Sequence, residues 1–375
     1  MIYVVKNGDS LYSISQEFGV PEERIIYQNQ LYGQEYLAVG QALLLTGTGL
    51  PEEKINRLYV TGYAYPFIEP YLLQEAAPSL NELLVFSYGF TAEGELVPPI
   101  LSDLNLIETA WRNGAEPFLV LTPFGEDGRF NNNLVKIVSE DMEVQGRLIE
   151  NLLDMVREKG YAGVDVDFEY ILPENRVQYA EFVGNLRRQM NENGYRVSVA
   201  LAPKTSADQP GLLYEGVDYR LLGENADQVF LMTYEWGYTY GPPMAVAPIN
   251  KVRQVVEYAL TEIPADKILM GIPNYAYDWP LPFERGSTAA RTIGNVEAVR
   301  IAEENGAEIQ FDETARSPYF TYRRDQVEHE VWFEDVRSIE AKLRLAAGYG
   351  LKGVGYWNLM RPFRANWVLL DQIMR

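Results

Sequence analysis

Eight short apolar segments, most of them separated by helix-like patterns, constrain the fold of this chain more than any other feature. The intervening patterns repeat apolar residues at the 3.6-residue period of an amphipathic helix. A β-then-α unit repeated eight times in about 320 residues predicts an α/β fold of the (β/α)8, or TIM barrel, type. A doubly wound open sheet is the alternative, although no glycine-rich phosphate loop follows any strand. The predicted strands are Leu58–Tyr65, Glu82–Tyr88, Pro117–Thr122, Gly163–Phe168, Arg196–Ala202, Gln228–Thr233, Lys267–Pro273 and Gly353–Trp357.

The first 46 residues form a separate unit with a β-α-α-β pattern. Ile2–Lys6 predicts a strand, Asp9 is suited to cap the helix that follows, and Gly19 is typical of a helix end. Pro21 opens a second short helix, and Ala42–Leu45 predicts the returning strand. A stretch rich in Gly, Thr and Pro then has linker composition. We therefore predict three parts, namely residues 1–46, 47–53 and 54–375.

This first unit resembles the LysM family of small glycan-binding modules. The matching residues are Tyr3 to Leu11, Ile14, Phe18-Gly19-Val20, Asn29 and Leu37 to Gln41. The resemblance implies binding of N-acetylglucosamine polymers such as peptidoglycan or chitin. It also implies that Gly8, Asp9, Ser10 and Leu11, together with Asn29, line the glycan groove. A helix-capping role alone is the alternative for Asp9 and Ser10.

Composition excludes several classes of site. The chain has no cysteine and a single histidine, His329, which excludes disulfides, iron–sulfur clusters, thiol nucleophiles and sites built from several histidines. We expect no metal and no cofactor, and we expect His329 to be structural or exposed. The net charge of −21, without a Lys/Arg cluster, argues against nucleic acid and anionic membranes as partners. Neither a secretory signal peptide nor a transmembrane run is recognisable.

The fourth predicted strand carries three acids with a period of two residues: Asp165, Asp167 and Glu169. This period places all three on one face of a strand, while the apolar residues between them face the other way. In a barrel the acidic face points inward and Glu169 lies at the C-terminal mouth. Repulsion between neighbouring carboxylates and burial then raise the pKa of at least one of the three acids, and a general acid at neutral pH requires such a raised pKa. A solvated acidic face on an exposed strand is the alternative.

The same segment resembles the signature of glycoside hydrolase family 18, D-x-x-D-x-D-x-E, with Ala162 in place of its first acid. Met232-Thr233-Tyr234 and Gly355-Tyr356-Trp357 match the family at the ends of the sixth and eighth strands. The resemblance implies that Glu169 is the acid, and that Asp167, Asp165 and Tyr234 complete the catalytic group. It also implies a retaining mechanism in which the 2-acetamido group of the substrate attacks. Trp357 would stack beneath the reacting sugar.

Other residues at strand ends are weaker candidates for sugar contacts: Glu235, Asn274, Tyr275, Tyr63, Tyr88 and Lys204. Between the seventh and eighth strands the chain is longer than elsewhere. There Phe320–Tyr322 and Glu330–Phe333 predict an inserted hairpin over the barrel mouth, and a helix follows from Phe333 to Tyr349.

The two resemblances imply the same sugar, and a LysM module joined to this kind of barrel resembles bacterial spore-cortex-lytic N-acetylglucosaminidases. We therefore expect hydrolysis of β-1,4 bonds next to N-acetylglucosamine in peptidoglycan, of the spore cortex or its fragments, by a monomer associated with the spore or cell wall. A chitinase is the alternative. A non-catalytic lectin is a further alternative, but such lectins usually lack the terminal acid that Glu169 supplies.

Overall fold

The structure is a computed structural model, and it describes residues 1–33, 36–49, 53–125 and 128–374. In the N-terminal unit, strand β1 (Ile2–Val4) pairs antiparallel with β2 (Ala42–Leu44). Helices α1 (Leu11–Phe18) and α2 (Glu22–Asn29) lie between them in the chain and share a small core with the strands. The predicted β-α-α-β order is confirmed. Within the predicted linker 47–53, residues 50–52 lie outside the described residues.

The start of α1 differs from the prediction in its capping residue. Ser10, and not Asp9, is the cap: its hydroxyl accepts from the Ser13 N–H at 3.0 Å, and the Ser13 hydroxyl accepts from the Ser10 N–H at 2.9 Å. The Asp9 carboxylate instead accepts from the Tyr3 hydroxyl and the Lys6 N–H, both at 2.7 Å. Asp9 therefore fixes the turn before the helix, one residue too early to cap it.

Among the described residues, eight parallel strands close into a barrel, because the second strand pairs back onto the first. The predicted barrel is confirmed, with strand bounds that differ by a few residues. A two-residue strand, β5 (Leu96–Val97), pairs with the end of β4 (Glu82–Phe90). The barrel strands are β3 (Tyr59–Ala64), β4 (Glu82–Phe90), β6 (Glu116–Leu121), β7 (Gly163–Val166), β8 (Arg196–Leu201), β9 (Gln228–Leu231), β10 (Ile268–Pro273) and β16 (Gly353–Trp357).

Amphipathic helices surround the barrel and bury their apolar faces against it. In α6 (Met142–Lys159), for example, Leu148, Leu152 and Val156 are buried, and Gly160 ends the helix in the left-handed conformation. None of the helices in the described residues is long and apolar enough to cross a membrane. The helices up to the seventh strand are α3 (Pro70–Ala76), α4 (Leu104–Arg112), α5 (Asn132–Glu140), α6 (Met142–Lys159), α7 (Arg176–Glu192), α8 (Tyr219–Asn225) and α9 (Ile249–Glu262).

The insertion between β10 and β16 is larger than the predicted hairpin. Within the described stretch 276–332 it forms a five-stranded antiparallel sheet and one helix. Its elements are β11 (Ala276–Leu281), β12 (Arg291–Ile293), α10 (Asn295–Glu304), β13 (Gln310–Asp312), β14 (Ser317–Arg324) and β15 (Val327–Trp332). The chain then returns through α11 (Val336–Gly348) to β16 and ends with α12 (Arg364–Ile373). The hairpin prediction was therefore right for β14 and β15 but incomplete.

Candidate active site

Three carboxylates from the end of β7 meet inside the barrel. Asp165 is fully buried and Asp167 is 5% exposed, while Glu169 lies two residues further towards the mouth and is partly exposed. The apolar residues between them hold this orientation, because Phe168 stacks on Phe90 of β4 and on Tyr179 of α7, with ring centroids 5.6 and 5.5 Å apart. The alternation along the strand thus sends the acids inward, and an exposed acidic face is excluded.

Asp165 is the deepest of the three acids and is held from two sides. The Tyr63 hydroxyl, from β3 across the barrel, donates to its Oδ2 at 2.9 Å, and the Ser198 hydroxyl of β8 donates to its Oδ1. Burial raises the pKa of Asp165 to about 6, although these two hydrogen bonds oppose the shift. Asp165 is therefore a fixed group beneath the other two acids, and it can carry a proton near neutral pH.

Asp167 lies between the other two acids and keeps one oxygen free. Its Oδ1 is buried and has no hydrogen-bond partner among the described residues. Burial raises the pKa of Asp167 well above its usual range, and the charges of Glu169 and Asp165 raise it further. A buried acceptor without a partner carries a desolvation cost that a ligand N–H would remove.

Glu169 lines a cavity of about 320 Å³ at the barrel mouth. Burial raises its pKa to about 7, and the negative charge of Glu235 adds to the shift. A carboxyl with this pKa is protonated in a large fraction of molecules at neutral pH, so it can act as a general acid. Tyr214, Trp236 and Lys251 line the same cavity.

Tyr234 and Glu235 follow β9 and complete this side of the cavity. Tyr234 is 8% exposed, and its pKa is raised well above 10 by burial and then by the nearby carboxylates, so its hydroxyl stays a donor. Gly271 makes room for this ring, because a Cβ there would lie 2.9 Å from it. Glu235 has a positive φ of 69° and accepts hydrogen bonds from the hydroxyls of Tyr275 and Tyr277, the latter at 3.0 Å.

Trp357 ends β16 inside a cluster of aromatic rings. Its ring meets Tyr63, Tyr65 and Phe86 edge-on, with centroids 5.4, 6.2 and 5.1 Å away. These contacts fix the plane of the indole, and a fixed, partly exposed indole suits the face of a sugar ring. Tyr65, Phe86, Ser198 and Tyr277 were missed as site residues. Inward-facing positions on β8, which pairs with β7, and at the end of β3, which pairs with β16, were the signal that could have found Ser198 and Tyr65.

Three predicted sugar contacts lie elsewhere in the structure. Tyr88 is fully buried behind the barrel wall, where its hydroxyl pairs with Asp103 and accepts from Lys159 at 2.8 Å. Asn274 is 2% exposed, and its Nδ2 donates to the carbonyls of Asn358 and Arg361 at 2.9 and 3.0 Å. These side chains serve the fold, and the structure does not bring them to the cavity that Glu169 lines. The same holds for Lys204, whose Nζ donates to the backbone carbonyls of Ala207 and Val217.

Two further candidates lie beneath the cavity surface. Tyr63 is 1% exposed and supports Asp165, and Tyr275 is 5% exposed and supports Glu235. Ala162, which stands in place of the first acid of the signature, precedes β7 at the far end from Glu169. Its N–H and carbonyl join the neighbouring strands at Pro117 and Arg196. The substitution therefore leaves the mouth of the barrel unaltered.

The N-terminal unit has its own groove of about 410 Å³, lined by Gly8, Asp9, Ser10 and Leu11 with Tyr12 and Tyr36. Asn29 does not belong to it. Its Nδ2 donates to the carbonyls of Ile25 and Leu44 at 2.9 and 3.0 Å, and its Oδ1 accepts from the Leu44 N–H at 2.7 Å. Asn29 ties α2 to β2, and the structure does not bring it to this groove.

Carboxylates that point into a barrel, one of them with a raised pKa beside a cavity at the mouth, are typical of a glycoside hydrolase. Residues 120–361 match the model for glycosyl hydrolases family 18, and residues 3–46 match the LysM domain. The chain belongs to glycosyl hydrolase family 18 and carries an N-terminal LysM domain. Both families bind glycans that contain N-acetylglucosamine, such as peptidoglycan, so a glycan of this class is its partner.

Relatives and solved structures agree with this assignment. The cortical fragment-lytic enzyme of Bacillus subtilis is 40% identical over 421 aligned positions, which cover 99% of this chain and 97% of that protein. The crystal structure of the Bacillus cereus spore cortex-lytic enzyme SleL superposes with a TM-score of 0.95 at 32% identity, covering 100% and 98% of the two chains. A chitinase from Chromobacterium violaceum reaches a TM-score of 0.78 at 26% identity, with coverages of 84% and 98%.

Proposed function

We propose that this enzyme hydrolyses β-1,4 bonds next to N-acetylglucosamine in peptidoglycan of the spore cortex or its fragments, with retention of configuration. The names of its relatives, a cortical fragment-lytic enzyme and a spore cortex-lytic enzyme, support this substrate. They also support a location in or on the spore. We further propose that residues 1–46 act as the glycan-binding module, residues 54–375 as the catalytic part, and that the enzyme works as a monomer.

The unpartnered Oδ1 of Asp167 is the observation that carries this proposal. A 2-acetamido sugar offers an N–H that can donate to this oxygen, and binding would remove the cost of leaving the acceptor unpaired. Tyr234 would donate to the oxygen of the same acetamide. Held between these two groups, the acetamide oxygen is aligned to attack the anomeric carbon of its own sugar. Such positioning replaces an encounter between separate molecules and can supply several kcal/mol, up to roughly 7–11 in well-aligned cases.

Glu169 would protonate the departing glycosidic oxygen as the acetamide attacks, and its raised pKa of about 7 supports that role. The bond from the anomeric carbon to the leaving oxygen breaks, and a bond to the acetamide oxygen forms. A cyclic oxazolinium ion results. Asp167 stabilises its positive charge, and Asp165 shares a proton with Asp167 so that the two acids need not both be charged.

In the second step Glu169, now ionised, would take a proton from a water molecule that attacks the anomeric carbon. The acetamide oxygen leaves, and the second displacement restores the original configuration. Glu235 would set the acidity of Glu169, and Trp357 would support the sugar from below. In this proposal Tyr63, Ser198 and Tyr275 act only by holding the acids in place.

A chitinase activity is the second candidate, and the likeness to the chitinase from Chromobacterium violaceum supports it. Mass spectrometry of products from spore-cortex muropeptides and from chitohexaose would separate the two functions. Faster release of products ending in N-acetylglucosamine from cortex material is the expected result. Turnover of chitohexaose alone would replace the proposed substrate with chitin.

Glu169→Gln is the control for both substrates, because it keeps the shape of the side chain and removes the proton that catalysis needs. We expect its turnover to fall by about 10²–10⁴ while glycan binding persists. Unchanged turnover would reject Glu169 as the acid.

A further inference from the structure

Arg364, the first residue of α12, anchors the LysM domain to the barrel. Its Nη1 donates to the Tyr27 carbonyl at 2.9 Å, and its guanidinium lies 4.0 Å from the centroid of the Tyr27 ring. Its Nε and Nη2 donate to one Glu75 oxygen of the barrel helix α3, at 3.0 and 2.7 Å. The Arg364 and Glu75 side chains are only 15% and 13% exposed, so solvent screens this ion pair weakly.

The LysM domain also caps a barrel helix. The first N–H groups of a helix have no partner within it, and Phe363, which precedes α12, provides no side-chain cap. The Arg364 N–H donates instead to Oε1 of Gln30, at 2.7 Å. Gln30 has a left-handed backbone with φ of 55° directly after α2. Part of the N-terminal stabilisation of α12 therefore comes from a different domain.

A second anchor lies on the insertion. The Ile309 N–H donates to the Val39 carbonyl at 2.8 Å, and Nη2 of Arg337 donates to the Gly40 carbonyl at 3.2 Å. A Cβ on Gly40 would lie 1.8 Å from the Ile309 carbonyl oxygen, so the two backbones pack closely. Ala38 belongs to the apolar core of the insertion. Two anchors on separate elements hold the LysM domain in one orientation.

The anchored helix follows directly on the loop that begins after Trp357, the candidate sugar platform at the end of β16. Residues 358–363 join Trp357 to Arg364. On the barrel side this loop is held by the Asn274 amide and by the Leu359 N–H, which donates to the Tyr63 carbonyl at 2.9 Å. On its other side the loop is held through Arg364, whose partners in the LysM domain are Tyr27, Gln30 and the Tyr32 hydroxyl.

We propose that the docked LysM domain positions the loop 358–363 and, through it, Trp357. Gln30 and Arg364 are positioning residues in this view. The LysM domain then raises the turnover even of substrates that are too short to occupy its own glycan groove. This effect is additional to any binding of polymer in that groove. The inference rests on the proposed function only where Trp357 supports the reacting sugar.

Gln30→Ala removes the cap and tests this inference, with Gln28→Ala as its matched control. Gln28 lies two residues earlier, in the last turn of α2, but its Nε2 donates at 2.7 Å to the Thr46 hydroxyl within the LysM domain. The probe is a 4-nitrophenyl glycoside of N,N′-diacetylchitobiose. Gln30→Ala should lower kcat/KM about fivefold, equivalent to about 1 kcal/mol, the usual worth of a helix cap. Peptides covering residues 358–366 should exchange amide hydrogens faster in Gln30→Ala and not in Gln28→Ala.

A Gln30→Ala variant with wild-type kcat/KM and wild-type amide hydrogen exchange would overturn the inference. An equal loss of kcat/KM in Gln28→Ala would overturn it as well. If Gln30→Ala does not fold, Arg364→Lys decides the same question with the same readouts. A lysine there keeps the charge and the backbone N–H but cannot serve both Tyr27 and Glu75. Failure of the proposed function would be recognised separately, as full turnover by Glu169→Gln.

Discussion

The charge on Glu235 controls the working pH range if Glu169 is the catalytic acid, and Glu235→Gln tests this. The variant removes the negative charge, while the amide oxygen can still accept from Tyr275 and Tyr277. Glu169 must be protonated for the first step, so kcat/KM falls as the pH rises through its pKa. Removal of a neighbouring negative charge lowers that pKa. The alkaline limb of the profile should therefore move to lower pH.

The expected change in kcat/KM follows from the causes that raise the pKa of Glu169. The pKa of Glu169 is raised from 4.5 to about 7, chiefly by burial and to a smaller extent by Glu235. Glu235 then accounts for less than half of the rise, so its removal should lower the pKa by on the order of 1. Well above the pKa, where the rate follows the protonated fraction, kcat/KM should drop by about tenfold. At acidic pH the variant and the wild type should converge.

The assay is kcat/KM on the chitobiose nitrophenyl glycoside from about pH 4 to about pH 9. Glu284→Gln makes the same charge change on an exposed loop residue and serves as the control. An alkaline limb that stays in place, or moves to higher pH, in Glu235→Gln would refute this account of the acidity of Glu169.

Three other substitutions test individual assignments. Tyr234→Phe removes a donor to the acetamide and should lower kcat about 10²-fold in steady-state kinetics, and a wild-type kcat would reject that contact. Tyr88→Phe should lower the free energy of unfolding by about 1–3 kcal/mol in denaturant titrations with kcat/KM unchanged, because its hydroxyl is buried behind the barrel. Lost activity at full stability would restore a sugar contact for Tyr88. Asn29→Ala should lower the melting temperature of the LysM domain through loss of its bonds to Ile25 and Leu44, and an unchanged melting curve would contradict this.

The barrel and its acids were predictable because local pattern and tertiary burial agree there. Along β7 the apolar residues must face the helices, so the period of two sends Asp165 and Asp167 inward without further information. The barrel also brings the ends of distant strands to one mouth. Tyr234 and Glu169 therefore line one cavity although 65 positions separate them in the sequence.

Tyr88 shows how the same reasoning fails. Phe86 points inward onto Trp357, so a strict period of two predicts that Tyr88 points inward as well. Between Val85 and Tyr88, however, β4 shifts register against β6, and the extra residue turns Tyr88 to the outer face. A bulge of this kind depends on the partner strand and leaves no mark in the period of β4 itself.

The insertion and the docking of the LysM domain depend on long-range contacts. Strands β12 and β13 have three residues each, too few for a period to be recognised, and β11 pairs with β15 about 50 residues later in the chain. Likewise, Gln30 and Arg364 are 334 residues apart. Asn274 was predicted to contact sugar because it follows a strand end, and Asn29 because the LysM resemblance implies it; in neither case does the sequence show whether the amide binds a ligand or the backbone.

The central claim is that the acetamide of the substrate, and not an enzyme carboxylate, attacks the anomeric carbon. The most direct measurement is kcat for a series of nitrophenyl glycosides whose acetamide carries zero, one, two or three fluorine atoms. Fluorine withdraws electrons from the attacking carbonyl oxygen, so kcat should fall with each fluorine added. A kcat that stays level across the series would contradict the claim, because an attacking enzyme carboxylate would not sense the change.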